Sequence, residues 1–145
     1  MTIYHRPSGA TRFFNSVFGW LASRGLTPRS MVSLEVKGRR SGQPRTTVVN
    51  WVEHRGERYF VSPRGEAEWV RNVRAASGEA VIRHGGRTKV RLEELPSSDT
   101  APIIQAYLKK TARVTKGLFG VEPNAPLQEF ERIAPDHPVF RIVVL

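Results

Sequence analysis

Cysteine is absent from these 145 residues. A disulfide framework and a thiolate zinc site are thereby excluded, and a cytoplasmic location is permitted. Histidine is scarce and scattered. His5, His54, His84 and His137 have no second ligand three or four residues away, so no metal is expected. No run approaches the roughly 20 apolar residues that cross a bilayer. Met1 to Gly9 has no apolar stretch of the signal-peptide kind. A G-x-S-x-G elbow, a Walker loop and a G-x-G-x-x-G fingerprint are also missing. Acidic residues are in short supply, 13 against 23 Lys+Arg, which leaves a net charge of +10. That excess favours nucleic acid, anionic lipid or a multiply charged cofactor without choosing among them.

The length suits one domain, 1–145, with a real core. Residues 1–10 read as a flexible arm and 11–24 as an amphipathic helix carrying Phe13, Phe14, Val17, Phe18, Trp20 and Leu21. That helix packs on its own domain, or lies on a membrane surface or over a substrate entrance. From Met31 the period changes. Residues 31–36, 46–52 and 58–62 read as strands joined by turns, an antiparallel meander. A helix is expected over 66–76, strands over 79–83 and 88–95, and a helix over 100–111. Residues 112–126 read as a short helix and a loop, 127–133 as a helical turn, and 138–145 as a last strand. Short turns between consecutive strands imply antiparallel pairing and a barrel or strongly curled sheet, an α+β fold that is mainly antiparallel β.

Between Val36 and Val52 stand four cations, Lys37, Arg39, Arg40 and Arg45, and no acid. A hairpin turn would project them together. Gly38 and Gly42 would let the backbone approach a ligand. Successive N–H groups there could form an anion-binding nest, with hydroxyls from Ser41 and Thr46. The plainer reading is a solvated basic turn. A second set, Ser62-Pro63-Arg64-Gly65, leads into a helix whose first N–H groups and Arg64 could face an anion. Trp69 and Asn72, three apart, could share a face and meet a planar ring. Alternatively Trp69 is a core residue and Asn72 a surface one.

The run Val36-Lys37-Gly38-Arg39-Arg40-Ser41-Gly42-Gln43-Pro44-Arg45-Thr46-Thr47 resembles the G-R-[KR]-S-G-x-x-R motif of deazaflavin (coenzyme F420)-dependent nitroreductase-like oxidoreductases. The run from Ser62 to Ala75 looks like that family's second motif, in which a Trp and an Asn follow a glycine-containing turn. The resemblance implies a split β-barrel that binds F420, a deazaflavin with a phosphate-linked oligoglutamate tail. It implies that Lys37, Gly38, Arg39, Arg40, Ser41, Gly42 and Arg45 surround the phosphate and tail. Arg45, Thr46, Thr47, Val48, Val49 and Asn50 would line a strand beside the cofactor. Val61, Ser62, Pro63, Arg64 and Gly65 would run along it, and Glu68, Trp69, Val70, Arg71 and Asn72 would form a second wall.

The implied chemistry is hydride transfer from the reduced deazaflavin to an electron-poor small molecule: a quinone, an enone or unsaturated lactone, or a nitro compound. The best-known nitroreductases carry tyrosines in the C-terminal part. This chain has Leu127, Phe130 and Phe140 there, and its tyrosines are Tyr4, Tyr59 and Tyr107. No catalytic residue is assigned, and a quinone, enone or unsaturated lactone is favoured over a bicyclic nitroimidazole. A homodimer is the analogy from other split barrels. Two other readings compete. FMN in the same fold would need fewer cations, having one phosphate. A non-enzymatic basic barrel would bind nucleic acid through exposed aromatics among cations; it leaves the second motif without a role.

Overall fold

The computed structural model describes residue 17 and residues 19–145, the side chains of 112–116 excepted. The expected arm and most of the expected first helix lie outside the described residues. Six strands form a closed barrel: β1 (Met31–Lys37), β2 (Pro44–His54), β3 (Glu57–Val61), β4 (Glu79–Arg83), β5 (Arg87–Glu94) and β6 (Val139–Val144). Their order around the barrel is β1-β2-β3-β6-β5-β4, and every neighbouring pair is antiparallel. Helix α1 (Glu68–Ala75) joins β3 to β4; α2 (Ala101–Phe119) and α3 (Leu127–Ile133) lie between β5 and β6.

Strand alternation divides the apolar residues between two cores. Val32, Leu34 and Val36 of β1 face inward with Val49, Phe60, Val90, Leu92 and Phe140. Val70 and Val73 of α1 enter the same core, so this helix plugs the barrel. The opposite faces of β2, β3 and β6 carry Val52, Tyr59, Val61 and Val139. These pack against Ile104, Tyr107 and Leu108 of α2 and Phe130 of α3. Tyr107 is buried enough that its phenol is pushed well above its ordinary pKa.

Helix α2 runs eight residues past the expected end at 111. Gly117 within it costs about 1 kcal/mol relative to alanine. The helix continues because its apolar face, out to Phe119, is buried in the outer core, and tertiary packing outweighs local propensity. It ends at Gly120, whose φ of +70° suits a residue without a Cβ.

The chain before β1 is fastened to the β4–β5 hairpin. Residues 19–23 are helical. The Gly85 N–H donates to the Ser23 carbonyl at 3.1 Å. Nε2 of His84 lies 3.0 Å from the Thr27 carbonyl. Val17, Trp20 and Leu26 stay exposed. Among the described residues, no helix is long and apolar enough to cross a membrane.

Candidate cofactor site

The basic turn is the β1–β2 hairpin. The Gly38 N–H donates to the Gln43 carbonyl at 2.8 Å, and the Gly42 N–H to the Gly38 carbonyl at 2.9 Å. The Gln43 N–H donates to the Ser41 hydroxyl at 3.2 Å. Gly38 is closely enclosed: a Cβ would stand 3.0 Å from the Gln43 carbonyl and 3.1 Å from the Ser41 hydroxyl, so these neighbours would have to shift by a few tenths of an ångström to admit one. A turn this tight leaves Lys37, Arg40, Ser41 and Arg45 pointing at solvent.

Arg39 behaves differently from its neighbours. Asn72, on α1, is 95% buried. Its Oδ1 accepts both the Arg39 backbone N–H, at 3.1 Å, and the Arg39 guanidinium, at 2.8 Å. The same guanidinium donates to Glu68 Oε2 at 2.7 Å. Asn72 is therefore neither a surface residue nor one aimed freely at a ring; it clamps the basic turn to the helix that plugs the barrel. The hydrogen bond from Arg39, reinforced by the charges of Arg39, Arg40 and Arg71, holds the Glu68 carboxyl below its ordinary pKa. Three cations from two segments thus gather around one exposed acid.

Strand β2 reaches beyond its β3 partner. The last pair is Trp51 with Phe60, whereas pairing with β1 continues to Lys37 and Pro44. Among the described residues, 44–50 pair with β1 alone and have no strand on their other side. Arg45, Thr47 and Val49 share a face with the inward residues Val36, Leu34 and Val32. Thr46, Val48 and Asn50 lie on the other face. Val49 is buried; Thr46 and Arg45 are exposed.

The second segment is more inward than its motif suggests. Ser62 is fully buried: its hydroxyl donates to the Gly65 carbonyl at 2.6 Å and its N–H to the Pro138 carbonyl at 2.9 Å. Nδ1 of the buried His137 lies 3.0 Å from the Ser62 carbonyl. Val61, Gly65 and Val70 are also buried. Glu68 and Arg71 are exposed, and Pro63 and Arg64 half-buried. Trp69 is half-buried and tilts against Phe60 and Phe140, with ring centroids 6.4 and 5.5 Å apart. Phe130 and Phe140 occupy different cores and Leu127 is exposed, so those three do not form one substrate wall. The Arg39–Asn72 clamp was invisible in the sequence because 33 residues separate its partners.

The six-stranded antiparallel barrel with flanking helices is of the split-barrel, α+β class. Residues 13–113 match the family model for F420H(2)-dependent quinone reductase. The chain belongs to that family: it is an F420H2-dependent reductase, and its cofactor is coenzyme F420. No curated protein matches the sequence. Among solved structures, the conserved hypothetical protein Rv2991 of Mycobacterium tuberculosis is 13% identical with a TM-score of 0.53, over 84% of this chain and 77% of that one. Atu2129 of Agrobacterium tumefaciens, of unknown function, is 16% identical with a TM-score of 0.54, over 95% of this chain and 56% of that one. ChuZ of Campylobacter jejuni is 11% identical with a TM-score of 0.53, over 97% and 55%. These likenesses concern the fold alone, and this chain spans about half the length of the last two.

The residues fit the group. A phosphate followed by several carboxylates needs separated cations with little competing acid. Lys37, Arg40, Arg45 and Arg71 are exposed cations of this kind, and Glu68 is the acidic neighbour of Arg40 and Arg71.

Proposed function

We propose that this chain reduces a quinone or a comparably electron-poor small molecule, such as an enone or unsaturated lactone, with reduced F420. Bound F420 supplies the hydride, and the protein supplies binding, orientation and electrostatics. Lys37, Arg40, Arg45 and Arg71 hold the phosphate and tail. Arg39, already engaged by Asn72 and Glu68, fastens the turn to α1, the helix that carries Arg71. The open flank of β2, residues 44–50, offers backbone donors and acceptors beside them. Trp69 forms the apolar end of the same wall.

The observation that carries this reading is the clamped, acid-poor turn. A surface turn that served only solubility would need no buried asparagine to order it. FMN, with one phosphate, would leave most of these cations without a counter-charge. The reading also takes the protein as cytoplasmic and dimeric. Peripheral membrane contact, if made, falls to the exposed Val17, Trp20 and Leu26.

The test combines binding and turnover. Purified protein is titrated with F420 and with FMN by fluorescence. F420H2 oxidation is then followed with menadione, an unsaturated lactone and a nitroimidazole. Micromolar F420 binding with turnover of menadione supports the reading; binding without turnover of menadione or the lactone overturns the acceptor class.

A further inference from the structure

A second acid-poor basic cluster lies farther along β2, and the cofactor turn does not account for it. Three cations converge on the Trp51 indole from three parts of the chain. Arg58 Cζ of β3 is 4.2 Å from the ring centroid, Lys110 Nζ of α2 is 4.6 Å, and Arg29 Cζ of the segment before β1 is 5.7 Å. The Lys110 ammonium also donates to the Trp51 carbonyl at 2.7 Å, which pins it in place.

Several other barrel arginines are neutralised locally. Arg83 and Arg87 meet Glu35, Arg91 and Arg141 meet Glu93, and Arg74 meets Glu66 and Glu94. Arg29, Arg58 and Lys110 make no such ion pair among the described residues. Glu53, opposite Arg58 in the β2–β3 ladder, is the acid that acts on Lys110. Three cations against one carboxylate leave two positive charges. Burial, and after it the Arg58 charge, depress the Lys110 pKa against the opposing pull of Glu53. Indole faces attract cations, but one ring does not neutralise them. A guanidinium stacked on an indole still has edge N–H groups for an oxyanion, and a lysine spending one donor on a carbonyl has two more.

We infer that Arg29, Arg58 and Lys110, gathered on Trp51, form a second anion site that takes the dianionic phosphate of a monoester. A phosphate monoester carries close to two negative charges at neutral pH, which matches the local excess. The site is separate from the basic turn: Trp51 stands six residues beyond Arg45, about 20 Å along an extended strand. The phosphate belongs to a soluble ester or to a lipid headgroup, and both present the same group.

The experiment follows the Trp51 indole N–H by two-dimensional nitrogen–proton NMR, with the signal assigned through Trp51→Phe. Full-length protein is titrated with glycerol 3-phosphate, with dimethyl phosphate as a monoanionic diester control, and with sodium chloride at matched ionic strength. A saturable shift is expected with the monoester at millimolar concentration. Affinity should fall at least tenfold in Arg58→Gln and in Lys110→Gln, two variants on different elements, and stay unchanged in Arg45→Gln. Vesicles containing phosphatidate replace the ester in a parallel arm; a Trp51 response to vesicles, lost in both variants, assigns the phosphate to a headgroup. F420 affinity is measured separately and should be the same in Arg58→Gln as in the parent. No saturable shift in either arm overturns the site, as does an equal response to sodium chloride or dimethyl phosphate. A loss in Arg45→Gln equal to that in Arg58→Gln would mean that the anion sits on the cofactor turn.

Discussion

Replacing Asn72 by alanine separates a clamp from a ligand contact. In the parent, Asn72 Oδ1 accepts one neutral backbone donor and one guanidinium donor of Arg39. The neutral bond contributes about 1 kcal/mol and the charged one about 1.5–3 kcal/mol when isolated. Arg39 retains its 2.7 Å bond to Glu68, so only part of the charged contribution disappears. The net expectation is a loss of about 1–3 kcal/mol. At a urea dependence of about 1–3 kcal/mol per molar, the midpoint should move down by roughly 1 M. A turn released from α1 must be reordered when the cofactor binds. F420 affinity should therefore fall too, about tenfold for each 1.4 kcal/mol of reordering. Asn72→Asp keeps an acceptor facing Arg39 and should recover most of the stability. Chemical denaturation and F420 titration on the same preparations check both halves. Unchanged stability with lost F420 affinity would refute the clamp and make Asn72 a direct contact to the cofactor.

Four further outcomes are expected. Arg40→Gln and Arg45→Gln should each weaken F420 binding, and the loss should shrink as salt is raised because exposed charge contacts are screened; equal losses at 20 mM and 500 mM salt would count against an electrostatic role. Glu68→Gln removes a competing charge and should tighten F420 binding about twofold to fivefold, the scale of an exposed ion pair. The Glu68 carboxyl is held low by Arg39, so its stabilising effect is present above the ordinary carboxylate range and lost as pH falls through its lowered value. Parent and Glu68→Gln should thus differ in urea midpoint at pH 7 and converge in acid; a difference that persists at pH 2 would contradict this. Gly78→Ala should lower stability by about 1–3 kcal/mol, since its φ is +86° and a Cβ would stand 2.6 Å from the Leu92 carbonyl; an unchanged Tm would contradict the geometry.

The strands were legible because side chains on a barrel must alternate. Val32, Leu34 and Val36 spell an inward face, and glycine-bearing turns follow at 38–42 and 85–86. The basic turn was legible because its four cations fall between positions 37 and 45 with no acid among them. What escaped the sequence depends on distance along the chain. Asn72 and Arg39, or Lys110, Arg58 and Arg29, carry no mutual spacing signal; only barrel closure and helix docking bring them together. Motif membership also says nothing about orientation. Ser62 belongs to the second motif and Val61 precedes it, yet both side chains are spent on the protein's own interior.

The unmatched flank of β2 has a consequence for solubility. A barrel normally escapes the hazard of a free strand edge by closing on itself. Among the described residues, this one closes while 44–50 have a strand partner on one side only. Such a stretch invites another chain to add a strand. Pro44 lacks an N–H to offer, and Arg45, beside Lys37 and Arg40, repels a second copy of the same surface. The charges suited to a polyanion therefore also discourage ligand-free molecules from pairing through this edge. Charge-removing changes in this turn should promote self-association most where the cofactor is scarce.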